Sequence, residues 1–201
     1  MLIHETELWE KGVIHIAGID EVGRGCLFGD VVAASVILPP ALKIEGINDS
    51  KKLTPKKREQ LFEIINKEAI AIGIGRIDVR TIDEVNIKQA ARLAMKQAVL
   101  AMNIQPEALL VDAEKIDLPI EQKSLIKGDE ISQSIAAASI IAKVTRDRLC
   151  EMWDDLYPDY GIKQHKGYAT KYHREQIQLL GPSPLHRKSF LGNILQGSLF
   201  E

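Results

Sequence analysis

Two adjacent acids, Asp20 and Glu21, followed by an arginine between glycines, Gly23-Arg24-Gly25, are the stretch of this sequence best equipped for chemistry. They come directly after an apolar run, Ile14, Ile16, Ala17 and Ile19, that reads as a core strand. Neighbouring side chains of a regular strand point to opposite faces, so the two acids share a site only where the strand ends or bulges. Gly23 and Gly25 supply that irregularity, and their bare main chain admits a close approach by another backbone or a ligand. Two further acids stand out by position: Asp112, at the carboxyl end of the short buried run Ala108-Leu109-Leu110-Val111, and Asp129, in the loop before a long apolar helix. Carboxylates gathered without histidine or cysteine partners favour hard ions such as Mg²⁺ or Mn²⁺, and two such ions held together suit phosphodiester cleavage. Each acid taken singly also fits a plainer role: Asp20-Glu21 a polar strand end, Asp112 the end of a strand, Asp129 after Gly128 a turn residue.

The elements that must position these acids follow from periodicity and caps. Val31 to Leu38 reads as a second strand, antiparallel to the first through a tight glycine-containing turn, and Ala69 to Ile77 as a third that completes a meander. Thr54-Pro55 is an N-cap with proline at the first helical position, opening a helix with Leu61, Phe62, Ile64 and Ile65 on its apolar face. Its first turn carries Lys56, Lys57 and Arg58, the sign the helix dipole disfavours there, which fits either a solvated basic face or an external anion. Thr81-Ile82-Asp83-Glu84 matches a capping box, predicting a helix to about Met102 with a break near Asn86. From Ser134 to about Trp153 the pattern is a buried central helix, and Ser139, Lys143 and Arg146 form one polar stripe leading out of the core. Lys143 also stands four residues before Asp147, the spacing of an ordinary helical ion pair. A last helix follows His165-Lys166-Gly167-Tyr168 and ends at Gly181-Pro182-Ser183-Pro184.

The totals set bounds on the rest. A hydrophobic fraction of 45% and a charged fraction of 27% belong to an ordinary folded domain. The net charge of -2 argues against a wholly basic surface but allows local basic patches. Val31 to Leu38, the longest apolar run, is too short to cross a bilayer, and no signal-peptide pattern opens the chain. With Cys26 and Cys150 as unpaired thiols, a cytoplasmic protein is expected.

Several of these stretches, in order, closely resemble the type 2 ribonuclease H family, ribonuclease HII. They are Gly18-Ile19-Asp20-Glu21-Val22-Gly23-Arg24-Gly25, Asp49-Ser50-Lys51-Lys52-Leu53, Val111-Asp112, and Ile135 through Asp147. Tyr157-Pro158, His165-Lys166-Gly167-Tyr168 and Gly181-Pro182-Ser183-Pro184-Leu185-His186-Arg187 complete the set. The resemblance implies an α/β, RNase H-like fold: a five-stranded mixed sheet flanked by helices, its first three strands antiparallel, with a C-terminal helical extension. It implies one catalytic domain, with residues 13–153 as the sheet-containing core, 154–195 as the helical part that grips the duplex, and 196–201 as a flexible tail. The implied activity is a two-metal-ion endonuclease, using Mg²⁺ or Mn²⁺, that acts on RNA:DNA hybrids and on single ribonucleotides embedded in duplex DNA. It cuts on the 5′ side of the ribonucleotide and leaves a 3′-hydroxyl and a 5′-phosphate, a role in ribonucleotide removal from DNA.

By motif match, Asp20, Glu21, Asp112 and Asp129 become the metal ligands, and Gly23, Arg24 and Gly25 the reader of the ribose 2′-hydroxyl. Tyr168 would stack on the neighbouring deoxyribose, its plainer alternative being a core tyrosine beside Tyr172; Lys51, Lys143 and Arg146 are candidates for phosphate contacts. Where the family usually has proline, leucine, alanine, glycine, proline after the motif, this chain has Cys26-Leu27-Phe28-Gly29-Asp30, so the loop behind the site is expected to sit differently. The closing residues Gln196, Leu199 and Phe200 resemble the short peptide that docks replication proteins on a sliding clamp, against the plainer reading of a frayed terminus. A monomer is expected. Two rivals differ in kind: a type 3 ribonuclease H, which carries a lysine where Arg24 stands and an extra amino-terminal domain, and a non-catalytic module that binds hybrid duplexes.

Overall fold

The structure, a computed structural model, describes residues 1–196. Runs of small and β-branched residues form β1 (Ile16–Val22), β2 (Val31–Ile37), β3 (Ala71–Ile77) and β4 (Ala108–Asp112), with the polar β5 (Glu121–Leu125) at one edge. They make one five-stranded sheet in the order β3-β2-β1-β4-β5. The first three strands are antiparallel neighbours, while β4 runs parallel to β1 and β5 parallel to β4. This is the mixed, helix-flanked sheet expected. In chain order the helices are α1 (Ile3–Trp9), α2 (Pro55–Glu68), α3 (Val79–Val85), α4 (Ile87–Leu100), α5 (Gly128–Ile131), α6 (Gln133–Leu156), α7 (Ile162–His165), α8 (Lys171–Leu180) and α9 (Gly192–Gln196).

Strand alternation divides the core into two faces. Ala17 and Ile19 of β1 and Ala33 and Ile37 of β2 pack with Ala90, Ala94, Met95 and Ala98 of α4. Ala34 and Val36, one residue out of step, pack on the other face with Leu61 and Ile65 of α2 and Ala137 and Ile141 of α6. Glycine makes both approaches tight: a Cβ at Gly75 would lie 2.0 Å from the Ala94 carbonyl oxygen, and one at Gly18 2.0 Å from the Ser134 carbonyl carbon. So α4 lies against β3, and the first turn of α6 lies directly on β1. The far end of α6 carries Cys150 and Trp153 into a third cluster with Leu27, Phe28, Tyr160, Ile162 and Ile177, which fastens the C-terminal helices to the segment after β1.

Two local expectations change. The helix predicted from Thr81 starts at Val79, because Asp78 is the cap and accepts the Thr81 N–H at 2.8 Å. It breaks at Asn86, as expected: that residue takes a positive φ of 70° and caps α4 by accepting from Lys88 and Gln89. Asp129 stands in the short helix α5 rather than in a loop. Among the described residues no helix is long and apolar enough to cross a membrane.

Candidate active site

The register of β1 explains how two adjacent acids share one site. Its ladder with β2 continues to Val22–Val32, but its ladder with β4 stops at Ile19–Val111. On the β4 side the strand has therefore ended where Asp20 begins, and Asp20 and Asp112 leave from adjacent parallel strand ends. Asp20 follows Gly18 in the alternation and faces α6, where the Ser139 hydroxyl donates to it. Ser139 Oγ is in turn 2.9 Å from Ser50 Oγ. Glu21 faces the other way and accepts from Arg24 Nη1 at 3.2 Å; the same nitrogen lies 3.4 Å from Glu114 Oε1, and Arg92 Nε donates to Glu114 Oε2 at 2.9 Å. Gly128 N–H donates to Asp112 Oδ1 at 2.7 Å, which draws α5 and its Asp129 to the end of β4. Asp129 shares a hydrogen bond with Asp49.

The electrostatics follow from crowding acids in a buried place. Burial first, then the charges of Glu21 and Asp112, hold the Asp20 carboxyl well above its ordinary range. Burial also raises Glu21, outweighing the pull of Arg24, and raises Asp112, outweighing the Gly128 N–H and Lys51. Asp129 is pushed up to about 6 by burial, then by Asp49 and Asp112. Lys51 feels all of them: burial pulls its ammonium down, yet Asp20, Asp49, Asp129 and Asp112 together raise it. Among the described residues no three acid, imidazole or thiolate side chains already form a closed ion cage. The acids are instead turned toward hydrogen-bond donors of the protein. Their donor chemistry, carboxylates whose mutual repulsion only Lys51 and Arg24 oppose in part, fits hard divalent cations.

Beside the acids, Gly23 has φ +97°, and a Cβ there would stand 2.3 Å from Arg146 Nε, so no side chain fits. Gly25 opens toward the Tyr168 ring, 3.9 Å from its Cβ position, and Leu27 N–H donates to Gly167 O at 2.8 Å. The glycine-flanked arginine and Tyr168 thus share one surface next to the acids. Tyr168 is 42% exposed and is no core tyrosine.

A profile of the family described as Ribonuclease HII matches residues 17–192. The chain belongs to the ribonuclease HII family. The ribonuclease HII of Alkaliphilus metalliredigens (strain QYMF) is 60% identical over 198 residues, 96% of this chain and 97% of that protein. Among solved structures, the ribonuclease H2 of Pyrococcus horikoshii OT3 matches with a TM-score of 0.77 at 25% identity, over 94% of this chain and 100% of its own. The RNase HII of Archaeoglobus fulgidus, solved as a PCNA:RNase HII complex, matches with a TM-score of 0.72 at 28% identity, over 87% of this chain and 94% of its own. Family membership makes the protein a ribonuclease H, a nuclease and hydrolase.

Within this ribonuclease HII, one expected phosphate contact is corrected. Arg146 is fully buried and donates to Asp30 O at 3.0 Å, Phe28 O at 2.9 Å and Lys166 O at 2.8 Å. A guanidinium so occupied clasps the loop after β1 to the segment before Tyr168 and does not face a duplex. Lys143 pairs with Asp147 at 2.6 Å, the plainer of its two readings. Of the unusual loop residues, Phe28 is fully buried with its ring edge-on to His186 at 4.8 Å, Asp30 pairs with Arg76 at 2.7 Å, and Cys26 Sγ lies 3.4 Å from Lys166 O. They form the underside of the site loop. The expected docking tail, Gln196, Leu199 and Phe200, lies outside the described residues, apart from the backbone of Gln196 at the end of α9.

Three polar residues of the site escaped the sequence reading. Asp49 and Glu114 are buried acids that neighbour Asp129 and Arg24, and Arg187 reaches the Arg24 carbonyl. Asp49 stood in a motif already singled out, next to Lys51. Arg187 closed another of those motifs, with nothing local to tie it to the site, and Glu114, two residues past Asp112, gave no local signal.

Proposed function

We propose that this ribonuclease HII is an endonuclease that hydrolyses the phosphodiester on the 5′ side of ribonucleotides, in RNA:DNA hybrids and at single ribonucleotides in duplex DNA. The products carry a 3′-hydroxyl and a 5′-phosphate, and the role is ribonucleotide removal from DNA. The observation that carries the reading is the juxtaposition of a buried acid cluster with the half-buried Arg24, the exposed Gly25 beside it and the exposed Tyr168. Asp20, Glu21, Asp112 and Asp129 are the proposed holders of two divalent ions, Mg²⁺ or Mn²⁺. Bound there, such ions supply Lewis acidity at the phosphate and ease deprotonation of the attacking water. Lys51, set among the acids, meets the negative charge of the substrate phosphate. Gly23 seats the turn on Arg146 and the exposed Gly25 lets the sugar approach the main chain around Arg24, where a 2′-hydroxyl separates RNA from DNA. The exposed Tyr168 ring offers a stacking surface to the adjoining sugar.

Incubation with Mg²⁺ or Mn²⁺ and a DNA duplex containing one ribonucleotide, beside a long hybrid, tests this. Cleavage of both, lost in Asp20→Asn, is expected. Cleavage of the long hybrid alone favours the type 3 reading, and cleavage of neither favours the non-catalytic module. The PCNA complex of the Archaeoglobus relative supports a sliding clamp as partner for the Gln196-Leu199-Phe200 tail. Unchanged clamp binding after deletion of residues 196–201 would end that part of the proposal.

A further inference from the structure

Arg187 is fully buried, and among the described residues its guanidinium contacts are carbonyls rather than carboxylates. Nε and Nη2 donate to Gly29 O at 2.9 and 2.7 Å, and Nη1 donates to Arg24 O at 3.1 Å. The backbone around it is matched in the same way. Arg187 N–H donates to Leu27 O, Gly29 N–H donates to Leu185 O, both at 2.8 Å, and His186 bridges Phe28 in antiparallel fashion. Holding a cation with no carboxylate in direct contact is costly: burial lowers the Arg187 pKa to about 10, against the more distant pull of Asp30 and Asp83. Closing a loop does not by itself call for such a group, since a neutral donor would serve.

What the guanidinium fixes is one peptide plane. Arg24 is held at both ends, its side chain between Glu21 and Glu114 and its carbonyl by Arg187. In a planar trans peptide the Arg24 carbonyl and the Gly25 N–H point in opposite directions. Drawing the carbonyl inward to Arg187 therefore turns the Gly25 N–H outward. Gly25 is exposed, and among the described residues its N–H donates to no protein acceptor. We infer that Arg187 is a positioning residue for ribonucleotide recognition, which presents the Gly25 N–H to the substrate sugar by anchoring the Arg24 carbonyl. This rests on the reading of Gly23-Arg24-Gly25 as the sugar sensor. A second anchor keeps Arg187 in place: the Asp83 carboxylate accepts from Lys188 N–H at 2.9 Å and Ser189 N–H at 3.0 Å, just after it in the chain.

The test uses the full-length protein and two readouts: kcat/KM on a duplex with one ribonucleotide, and Kd for the all-DNA duplex of the same sequence. Arg187→Lys keeps the charge but loses the two-pronged geometry. It is expected to lower kcat/KM about tenfold while leaving the all-DNA Kd unchanged. Asp83→Ala, at a partly exposed position, is expected to act in the same direction but more weakly, and keeps the test open should Arg187→Lys fail to fold. Wild-type kcat/KM in both variants overturns the proposal alone. So does a proportional loss in both readouts that tracks the folded fraction by circular dichroism. A wild-type protein that cleaves nothing at the ribonucleotide overturns the sensor reading and this proposal together.

Discussion

The backbone N–H of Gly128 donates to Asp112 Oδ1 at 2.7 Å, so the residue before Asp129 is tied to the acid that ends β4. The joint is tight: a Cβ on Gly128 would lie 2.4 Å from Ile135 Cδ1 and 3.3 Å from Asp112 Oδ1. Gly128→Ala must turn the buried end of the Ile135 side chain or displace α5 and Asp112, and the crowding on both sides of the joint favours a displacement that separates the two acids. A displacement of about 1 Å at a catalytic group costs about a hundredfold in rate, and overpacking destabilises by roughly 1–3 kcal/mol. Measured kcat should fall by that order, with a modest drop in the urea midpoint. Wild-type kcat would show that the spacing of Asp112 and Asp129 does not matter.

The acids on β1 and β4 were legible because each ends an apolar run, and a strand end is a local property. Their neighbours were not, because Glu114 and Arg187 reach the site through tertiary packing alone. Arg146 shows where periodicity misleads. A spacing of seven places it correctly on the face of Ser139, but periodicity does not reveal that residues 26–30 and 166–168 close over that face. The capping box at Thr81 marked the right helix but not its first residue, because Asp78, three residues earlier, takes the Thr81 N–H. The edge strand β5, with Glu121, Lys123 and Ser124 exposed, has no apolar alternation to read.

Phe28 carries the packing between the site loop and the C-terminal helices. Its ring meets His186 at 4.8 Å, Trp153 at 5.9 Å and Tyr157 at 6.0 Å, all edge-on, with no exposed surface. Phe28→Ala should destabilise by about 3–5 kcal/mol, the usual cost of emptying a buried aromatic site. Since Gly167 packs directly on Phe28, Tyr168 should loosen with it, and KM should rise in the fraction that remains folded. Chemical denaturation checks the first effect and steady-state kinetics the second.

Glu5 does for α6 what no residue within that helix does. It is fully buried in α1, and its Oε1 accepts from Ser132 Oγ at 2.7 Å and Ser134 N–H at 3.0 Å. An acid at the positive end of the helix that carries Ser139 is doubly favoured, by hydrogen bonding and by the dipole. Glu5→Ala leaves both donors unpaired and should cost about 1–3 kcal/mol. Glu5→Gln keeps the acceptor and should cost less. Denaturant midpoints that rank the two variants in the opposite order would exclude the capping role.

The acid cluster makes a pH prediction whose sign can be worked out. Asp129 titrates at about 6 in the folded protein against an ordinary value of 3.8, so between those values the native state binds the proton that the unfolded state has lost. Its contribution to stability therefore falls as pH rises through that window and is level above it. Asp129→Asn, which cannot ionise, removes this term together with its coupling to Asp49 and Asp112: wild-type stability minus that of the variant should decline from about pH 4 to about pH 6. Divalent ions need the ionised acids, so the rise in Tm on adding Mg²⁺ should be larger at pH 8 than at pH 5. The same protons should shape activity, with kcat/KM rising through the region of Asp129 titration. Lys51 opposes the raised pKa of Asp112 and Asp129. In Lys51→Ala the midpoint should move to higher pH as kcat/KM falls, and an unmoved midpoint would remove Lys51 from the electrostatics of the site.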